Sequence, residues 1–210
     1  MSNAFGKSYF CGDRGWNYAS YDKINHAKIF RKITSFIKNQ EIGGRFLDIG
    51  CAFGFLVEQV APFFDELYGC DISSFAIQEA KKKNPKANLK VVNLDKAFPY
   101  PDNFFDCITA LDVLEHTKDI EENVKKIVKK IKPGGYFILS LPIKGIIRKM
   151  FGSLDKDETH ISILKGKEII RIVKASGLKI IKKRHFCPSP VLYRVYHIPA
   201  ELELILQKPV

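Results

Sequence analysis

The fold of this chain is decided by the stretch Phe46-Leu47-Asp48-Ile49-Gly50-Cys51-Ala52-Phe53-Gly54-Phe55. Apolar residues around one acid lead into a glycine turn and then into helix-forming residues, which predicts a buried strand, a tight loop and a helix. Gly50 and Gly54 leave out side chains where a ligand would approach the main chain, and Asp48 ends the strand with a carboxylate. This order of elements indicates a site for a ligand that contains a nucleoside.

The spacing of the two glycines argues against a phosphate-binding loop. Loops that bind dinucleotides or nucleotide phosphates read G-x-G-x-x-G or G-x-x-x-x-G-K-[ST]. Here Cys51-Ala52-Phe53 separates Gly50 from Gly54, and no Lys-Ser or Lys-Thr pair follows. The loop therefore fits neither phosphate signature.

Strands and helices alternate along the chain from the glycine loop onward. Apolar runs predict strands at residues 45–49, 66–72, 89–95, 104–109 and 136–141, with helical patterns between most of them. Five such strands call for an α/β fold with a mainly parallel sheet and right-handed crossovers.

Four acids stand at or just after predicted strand ends, where ligands bind in such sheets: Asp48, Asp71, Asp95 and Asp112. Together they would repel a phosphate, but they suit a ligand that carries a sulfonium, an amino group, a ribose and an adenine amine. The charge pattern therefore favours S-adenosylmethionine over a nucleotide. Asp71 lies at the offset of an acid that accepts hydrogen bonds from both ribose hydroxyls. The alternative is that Asp71 only precedes a helix capped by Ser73.

Length, charge and cysteine content define the class of protein. The chain has 210 residues, which fits one domain, and a formal net charge of +11. That charge would attract nucleic acid, anionic lipid or an acidic substrate, or it is a solvated lysine surface. The five cysteines form no C-x-x-C pair, and no apolar run is long enough to span a bilayer. We therefore expect reduced thiols, a cytoplasmic location and no transmembrane segment.

Several segments in order resemble the class I S-adenosylmethionine-dependent methyltransferases, especially the quinone-biosynthesis type and other small-molecule enzymes. The resemblance runs from Phe46 to Pro142 and rests on D-I-G-C-A-F-G, G-C-D-I-S, F-P-Y-P-D-N-F-F-D-C-I, L-D-V-L-E-H and K-P-G-G-Y-F-I-L-S-L-P. It implies a Rossmann-like, seven-stranded, mainly parallel sheet with the last strand antiparallel and helices on both faces. Residues 178–181 and 203–206 are the candidates for strands six and seven. Residues 1–44 would form a lid and a helix, and residues 45–210 the methyltransferase domain of a single compact unit.

The resemblance also implies S-adenosylmethionine as the cofactor. Asp71 matches the ribose-binding acid of the family, and Asn93-Leu94-Asp95 matches its adenine-side position. Ala52 stands where many members carry another glycine. The cofactor-binding residues implied by these matches are Asp48, Gly50, Cys51, Ala52, Gly54, Asp71, Ile72, Asn93, Leu94, Asp95 and Asp112.

The mechanism implied by the family is direct displacement, in which a substrate nucleophile attacks the sulfonium methyl and leaves S-adenosylhomocysteine. A base is needed only where the nucleophile carries a proton. The candidate catalytic residues are His116, in the segment after the fourth strand, and His160, in the segment after the fifth. Alternatively, His116 only stands at the entry of a helix and bonds to backbone, and His160 is a surface loop residue.

A metal site is a separate hypothesis. Asp112, Glu115 and His116 form D-x-x-E-H, which is similar to the E-x-x-E-H that binds magnesium in some quinone-pathway and small-RNA 3′-end methyltransferases. The first position here is one methylene shorter, and D-V-L-E-H also occurs in metal-free members. We therefore assign no metal ligand from the sequence.

The flanking segments bear on the methyl acceptor. The aromatic residues in positions 1–21 would form either a lid over the ligand or a flap packed on the body. Residues 143–151 would form either a pocket lid or a lipid contact. The motif Asn-Pro-Pro-Tyr, which marks many amino-group DNA methyltransferases, does not follow the fourth strand. We expect a small-molecule acceptor, with an RNA methyltransferase, metal-assisted or not, and a non-catalytic cofactor-binding module as alternatives.

Overall fold

Strands and helices alternate through the computed structural model as the sequence predicts. The structure describes residues 5–11, 25–145, 159–189 and 193–210. It divides into two compact units, Met1–Asn93 and Leu94–Val210, which are described separately below. The predicted boundary between residues 44 and 45 stays a prediction.

The first unit contains a parallel three-stranded arrangement in the order β3-β2-β1. Asp48 of β1 lies opposite Gly69 of β2, and Asp71 at the end of β2 lies opposite Val91 of β3. The strands and helices are β1 (Arg45–Ile49), β2 (Glu66–Asp71), β3 (Asn88–Val91), α1 (Lys7–Phe10), α2 (His26–Asn39), α3 (Phe55–Val60) and α4 (Ser74–Lys83).

Capping side chains define where the helices of this unit begin. The hydroxyl of Ser73 accepts the N–H of Ala76 and starts α4, as the alternative reading of Asp71 supposes. The side chain of Asn25 accepts the N–H of Lys28 and starts α2. Each cap satisfies one of the backbone donors that the first turn of a helix leaves without an intrahelical partner.

The second unit contains five strands in the order β4-β5-β8-β6-β7. Strand β5 runs parallel to β4, whereas β8 runs antiparallel to both β5 and β6. The elements are β4 (Phe105–Leu111), β5 (Ile131–Pro142), β6 (Lys179–Ser189), β7 (Tyr193–Tyr196), β8 (Glu201–Gln207), α5 (Ile120–Lys130) and α6 (Gly166–Ala175).

The predicted α/β class with a parallel sheet and an antiparallel last strand is confirmed. Strand β8 contains the predicted seventh strand, residues 203–206, and has the predicted direction. The described residues contain one strand more than the seven expected, because β7 forms a hairpin with β6. This hairpin extends strand six well beyond its predicted end at residue 181.

Strands three and five also differ from the sequence prediction, each at one boundary by at least four residues. Strand three ends at Val91 instead of Asp95. Strand five begins at Ile131, although Pro133-Gly134-Gly135 predicts a turn there. The backbone of Lys208 accepts the N–H of Gly134 and donates to Gly135 O, at 2.8 and 2.9 Å. Pairing with a distant segment thus overrides the local turn signal.

Within the residues that the structure describes, no helix is long and apolar enough to cross a membrane. The predicted cytoplasmic location stays a prediction.

Candidate functional site

The glycine loop after β1 is held against the end of β2. The N–H groups of Gly50 and Cys51 both donate to the carbonyl of Cys70, at 2.7 and 3.0 Å. The loop reverses direction through positive φ angles at Gly50 (69°), Ala52 (45°) and Gly54 (75°). Glycine adopts this region freely, whereas alanine at position 52 does so at a conformational cost.

Gly54 is required for space as well as for backbone angle. A Cβ added there would lie 2.5 Å from Asn84 Nδ2 and 3.2 Å from the Cβ of Ala80. The Asn84 amide donates to the Gly54 carbonyl at 3.0 Å. The end of α4 therefore packs directly on the loop where α3 begins.

Asp71 is a buried acid with two fixed backbone partners. One carboxylate oxygen accepts the N–H of Ala52 at 3.0 Å and the other accepts the N–H of Ser73 at 2.8 Å. Burial raises the pKa of Asp71, and backbone hydrogen bonds from Ser73, Ala52 and Ile72 oppose this effect. Ser73 caps α4 and donates its N–H to Asp71, so these contacts fit both the alternative, in which Asp71 only precedes the helix, and a ribose-binding role. The predicted contact of Asp71 with a ribose stays a prediction, as does the placing of Ile72 in the cofactor site.

Cys51 lies in an acidic and buried environment. Burial first, and then the negative charges of Asp71 and Asp48, raise the pKa of the Cys51 thiol. Asp48 is itself buried. The thiol therefore stays protonated and acts as a small apolar side chain beside two acids.

An aromatic cluster covers the glycine loop. Tyr9 and Phe10 of α1 are buried in one hydrophobic cluster with Ala52 and Phe53. The rings of Phe10 and Phe53 lie 5.1 Å apart. This contact is consistent both with a lid over the ligand and with a flap that only packs on the body of the protein. Trp16, the other aromatic residues of positions 12–24 and residues 146–158 lie outside the described residues.

In the second unit, Asp112 follows β4 in a left-handed conformation, with φ of 56°. Its N–H donates to the carbonyl of Ser140 at 2.8 Å, and the Ser140 hydroxyl donates to its carboxylate at 3.1 Å. Asp112 is thus tied to β5 by both backbone and side chain. Its role in cofactor binding stays a prediction.

The two histidines singled out from the sequence meet around one buried carboxylate. Glu115 Oε1 lies 4.0 Å from His116 Nε2 and 4.0 Å from His160 Nε2. The N–H groups of Ile161 and Ser162 both donate to the Glu115 carbonyl at 2.9 Å, which fixes the loop after His160 to the turn Leu114–His116. No local sequence signal joins His160 to this turn, because more than forty residues separate them.

Of the segment Asn93-Leu94-Asp95, Asp95 contacts the start of α5. The Asp95 carboxylate accepts the N–H of Lys118 at 3.2 and 3.3 Å and the amide of Asn123 at 3.1 Å. Leu94 is buried. Asp95 therefore anchors the start of α5, and the adenine-side role of the three residues stays a prediction.

A family model described as a methyltransferase domain matches residues 21–183. The ubiquinone biosynthesis O-methyltransferase of Alkalilimnicola ehrlichii is 32% identical over 102 residues, which are 47% of this chain and 41% of that protein. The enzyme with the same description from Idiomarina loihiensis is 24% identical over 76% of this chain and 70% of its own length. The first of these alignments thus spans less than half of the relative.

The fold has close counterparts among solved structures. A S-adenosylmethionine-dependent methyltransferase from Clostridium acetobutylicum superposes with a TM-score of 0.70 at 19% identity, over 90% of this chain and 94% of that one. At this identity the likeness shows the fold alone.

Proposed function

The chain belongs to the class I S-adenosylmethionine-dependent methyltransferases, and on that premise we propose that it methylates an oxygen atom of a small molecule. S-adenosylmethionine is the cofactor of this family, which confirms the cofactor predicted from the sequence. The oxygen acceptor and the small-molecule substrate are supported by the two relatives described as ubiquinone biosynthesis O-methyltransferases.

The observation that carries the choice of oxygen is the cluster of Glu115, His116 and His160. A hydroxyl must lose its proton as it is methylated, so its enzyme needs a proton-accepting or anion-stabilising group. The cluster supplies one carboxylate and two imidazoles, each imidazole 4.0 Å from the same carboxylate oxygen. An amine acceptor in its neutral form would not need such a cluster.

The geometry of the first unit supports the use of the sulfonium cofactor. Asp71 is held by Ala52 and Ser73 in a fixed orientation before a ligand arrives, which lowers the cost of ordering when ribose hydroxyls bind. Asp48 and Asp71 are both buried beside the loop. Their charges disfavour a phosphate and favour a cationic ligand.

The proposed reaction is a direct displacement. A lone pair of the acceptor oxygen forms the O–CH₃ bond as the S–CH₃ bond breaks, and the bonding pair stays on sulfur. The sulfonium becomes the neutral thioether of S-adenosylhomocysteine, and the hydroxyl proton passes to the cluster or to water. Most of the rate enhancement would come from holding oxygen, methyl carbon and sulfur in line.

The test uses the full chain with S-adenosylmethionine that carries a labelled methyl group. Calorimetry first measures cofactor binding, and then phenols, catechols, amines and RNA are offered as acceptors. Label on a phenolic or catecholic oxygen is the expected result, and it should fall about 100-fold or more in His160→Asn if the cluster handles the proton. His197→Asn is the matched control, because His197 is exposed in the second unit.

Three outcomes would contradict the proposal. Label on RNA but on no small molecule would favour the RNA methyltransferase that the net charge of +11 suggests. Label on nitrogen alone would show that the cluster of Glu115, His116 and His160 does not indicate an oxygen acceptor. Cofactor binding without transfer to any acceptor class would favour a non-catalytic module.

A further inference from the structure

Strand β6 has one edge that is only partly covered. Residues 186–189 pair with β7 on that side, whereas β8 occupies the other side of β6. The N–H of His197 donates to the carbonyl of His185, and the cover provided by the hairpin begins there. Among the residues that the structure describes, none pairs with the outer side of residues 179–184. This stretch therefore presents backbone donors and acceptors on which another strand can pair.

Three exposed lysines project from this open edge: Lys179, Lys182 and Lys183. Because Lys182 and Lys183 are consecutive residues of a strand, their side chains leave opposite faces of the sheet. Ile181 is skipped in the pairing with β8, which makes a bulge, and it is 40% exposed. The open edge thus carries positive charge on both faces of the sheet.

The charge of the three lysines is not balanced within the described part of the chain. None of them forms an ion pair with a described residue. Arg184, which follows them in the strand, is paired with the buried Glu203. On α5, by contrast, Lys125 is paired with Glu121 at 2.8 Å. Anionic groups for the lysines of the open edge must then come from a partner.

The positive charge extends beyond the edge itself. Burial first, and then the positive charge of Lys183, lower the pKa of the His185 imidazole. Helix α6, which contacts β6, carries three exposed cations at helical spacing on one face: Lys167, Arg171 and Lys174. These cations add to the positive potential that an approaching anionic partner meets.

We propose that residues 179–184 of β6 bind an extended acidic segment of another protein, which adds a strand to the sheet beside β7. Such a segment uses both features of the edge. Its backbone pairs with the open N–H and C=O groups, and its carboxylates lie opposite or beside the lysines. The proposal does not depend on the identity of the methyl acceptor.

The same two features disfavour the other occupants of this edge. Lysines and a bulge on an edge discourage pairing with an uncharged strand, and a second copy of the chain would place lysines against lysines. Nucleic acid or an anionic membrane would use the lysines and leave the backbone edge unpaired. The exposed large apolar residues of the described part are all aliphatic, so they offer no ring on which a base could stack.

The test is binding of synthetic peptides to the full chain, measured by fluorescence anisotropy. The acidic probe is a labelled peptide of about ten residues in which glutamate alternates with valine and threonine, which favour strands. The matched controls are a peptide with lysine in place of glutamate and an N-methylated acidic peptide, which cannot donate backbone hydrogen bonds. We expect the acidic probe to bind at least about tenfold more tightly than either control. Amide hydrogen exchange at residues 179–184 should slow when it binds.

Charge reversal at the edge gives a second measurement. Lys182→Glu combined with Lys183→Glu should weaken binding of the acidic probe about tenfold or more, because carboxylates would then face carboxylates. The control is Lys81→Glu combined with Lys86→Glu, which makes the same change in net charge at exposed lysines of the first unit. It should leave the affinity within about twofold, since salt screens distant charges.

The proposal would be overturned by equal binding of the N-methylated peptide, by affinity that survives charge reversal at the edge, or by exchange protection that omits residues 179–184. Tighter binding of an RNA oligonucleotide or of phosphatidylglycerol vesicles than of the acidic probe would identify that anion as the occupant and contradict the proposal. Because none of these measurements uses methyl transfer, a failure to find any methyl acceptor would contradict the proposed function and leave this result intact.

Discussion

The carboxylate of Asp71 accepts the backbone N–H of Ala52 at 3.0 Å, so the acid that ends β2 and the loop that follows β1 form one unit. Ala52 has a positive φ of 45°, which an L-residue adopts at a cost. The hydrogen bond from its N–H helps to offset that cost, and it also fixes the direction of the carboxylate. This hydrogen bond between residues 19 positions apart thus fixes the conformation of the loop before any ligand binds.

Replacement of Asp71 should weaken cofactor binding. Asp71→Asn keeps one acceptor oxygen for the loop but removes the charge that would bind ribose hydroxyls. A hydrogen bond to a charged group contributes about 1.5–3 kcal/mol, which corresponds to about 10–100-fold in affinity. Calorimetry with S-adenosylmethionine measures the change. Asp102→Asn, at an exposed acid paired with Lys130, is the control, and equal affinities for both variants would refute the ribose assignment.

Cofactor affinity should depend on pH through Asp71. Burial raises the pKa of this carboxyl above 3.8, so its protonated form persists to higher pH in the folded protein than in the unfolded chain. Its contribution to folding stability is full below the unfolded value and is lost as pH rises through the raised pKa. Cofactor affinity should rise over the same window, because the ribose requires the ionised acid. Titration from pH 4 to 7 should show this in the wild type and a flatter profile in Asp71→Asn.

Gly54→Ala should destabilise the protein more than Gly177→Ala does. Both glycines have positive φ, 75° and 82°, so both variants carry a backbone cost of about 1 kcal/mol. A Cβ at position 177 meets nothing within 4 Å, whereas one at position 54 lies 2.5 Å from Asn84 Nδ2. Overpacking should add roughly 1–3 kcal/mol. Urea denaturation measures the free energy of unfolding of the two variants. Equal decreases would show that the loop and Asn84 accommodate the added Cβ without a steric penalty.

Phe10→Ala should reduce cofactor affinity with little effect on global stability. The Phe10 ring packs 5.1 Å from that of Phe53 in the loop. One aromatic contact contributes about 0.5–1.5 kcal/mol, or roughly two- to tenfold in affinity if α1 orders the loop. Phe64→Ala is the matched control, since Phe64 packs on Phe46 of the core. That variant should lose stability and keep its affinity. The opposite pattern would favour a flap that only covers apolar surface.

His160→Asn should lower kcat about 100-fold or more and leave the affinity for S-adenosylmethionine within about twofold. The reason is that the substitution removes one imidazole from the Glu115 cluster and leaves the residues of the glycine loop unchanged. Initial rates at saturating cofactor, combined with calorimetry, separate the two effects. An unchanged kcat would exclude a role for His160 in proton removal.

Most of the fold could be predicted from the sequence because its signals are local. Apolar runs predict strands at residues 45–49 and 66–72, and the structure has them at Arg45–Ile49 and Glu66–Asp71. The antiparallel β8 was also predicted, although from family resemblance instead of from periodicity. The early start of β5 could not be predicted, since it depends on pairing of Gly134 and Gly135 with Lys208. A turn signal holds only where no distant strand competes for the same backbone groups.

The sequence by itself determined the strand, glycine loop and helix at residues 45–60 and hence the cofactor, because neighbouring residues set backbone angles and spacing. Only the tertiary structure decided that His160 joins Glu115 and His116, and that Asp95 anchors α5 through Lys118 and Asn123. These contacts connect residues that are far apart along the chain. Their meeting depends on the path of the intervening elements, which no local pattern specifies.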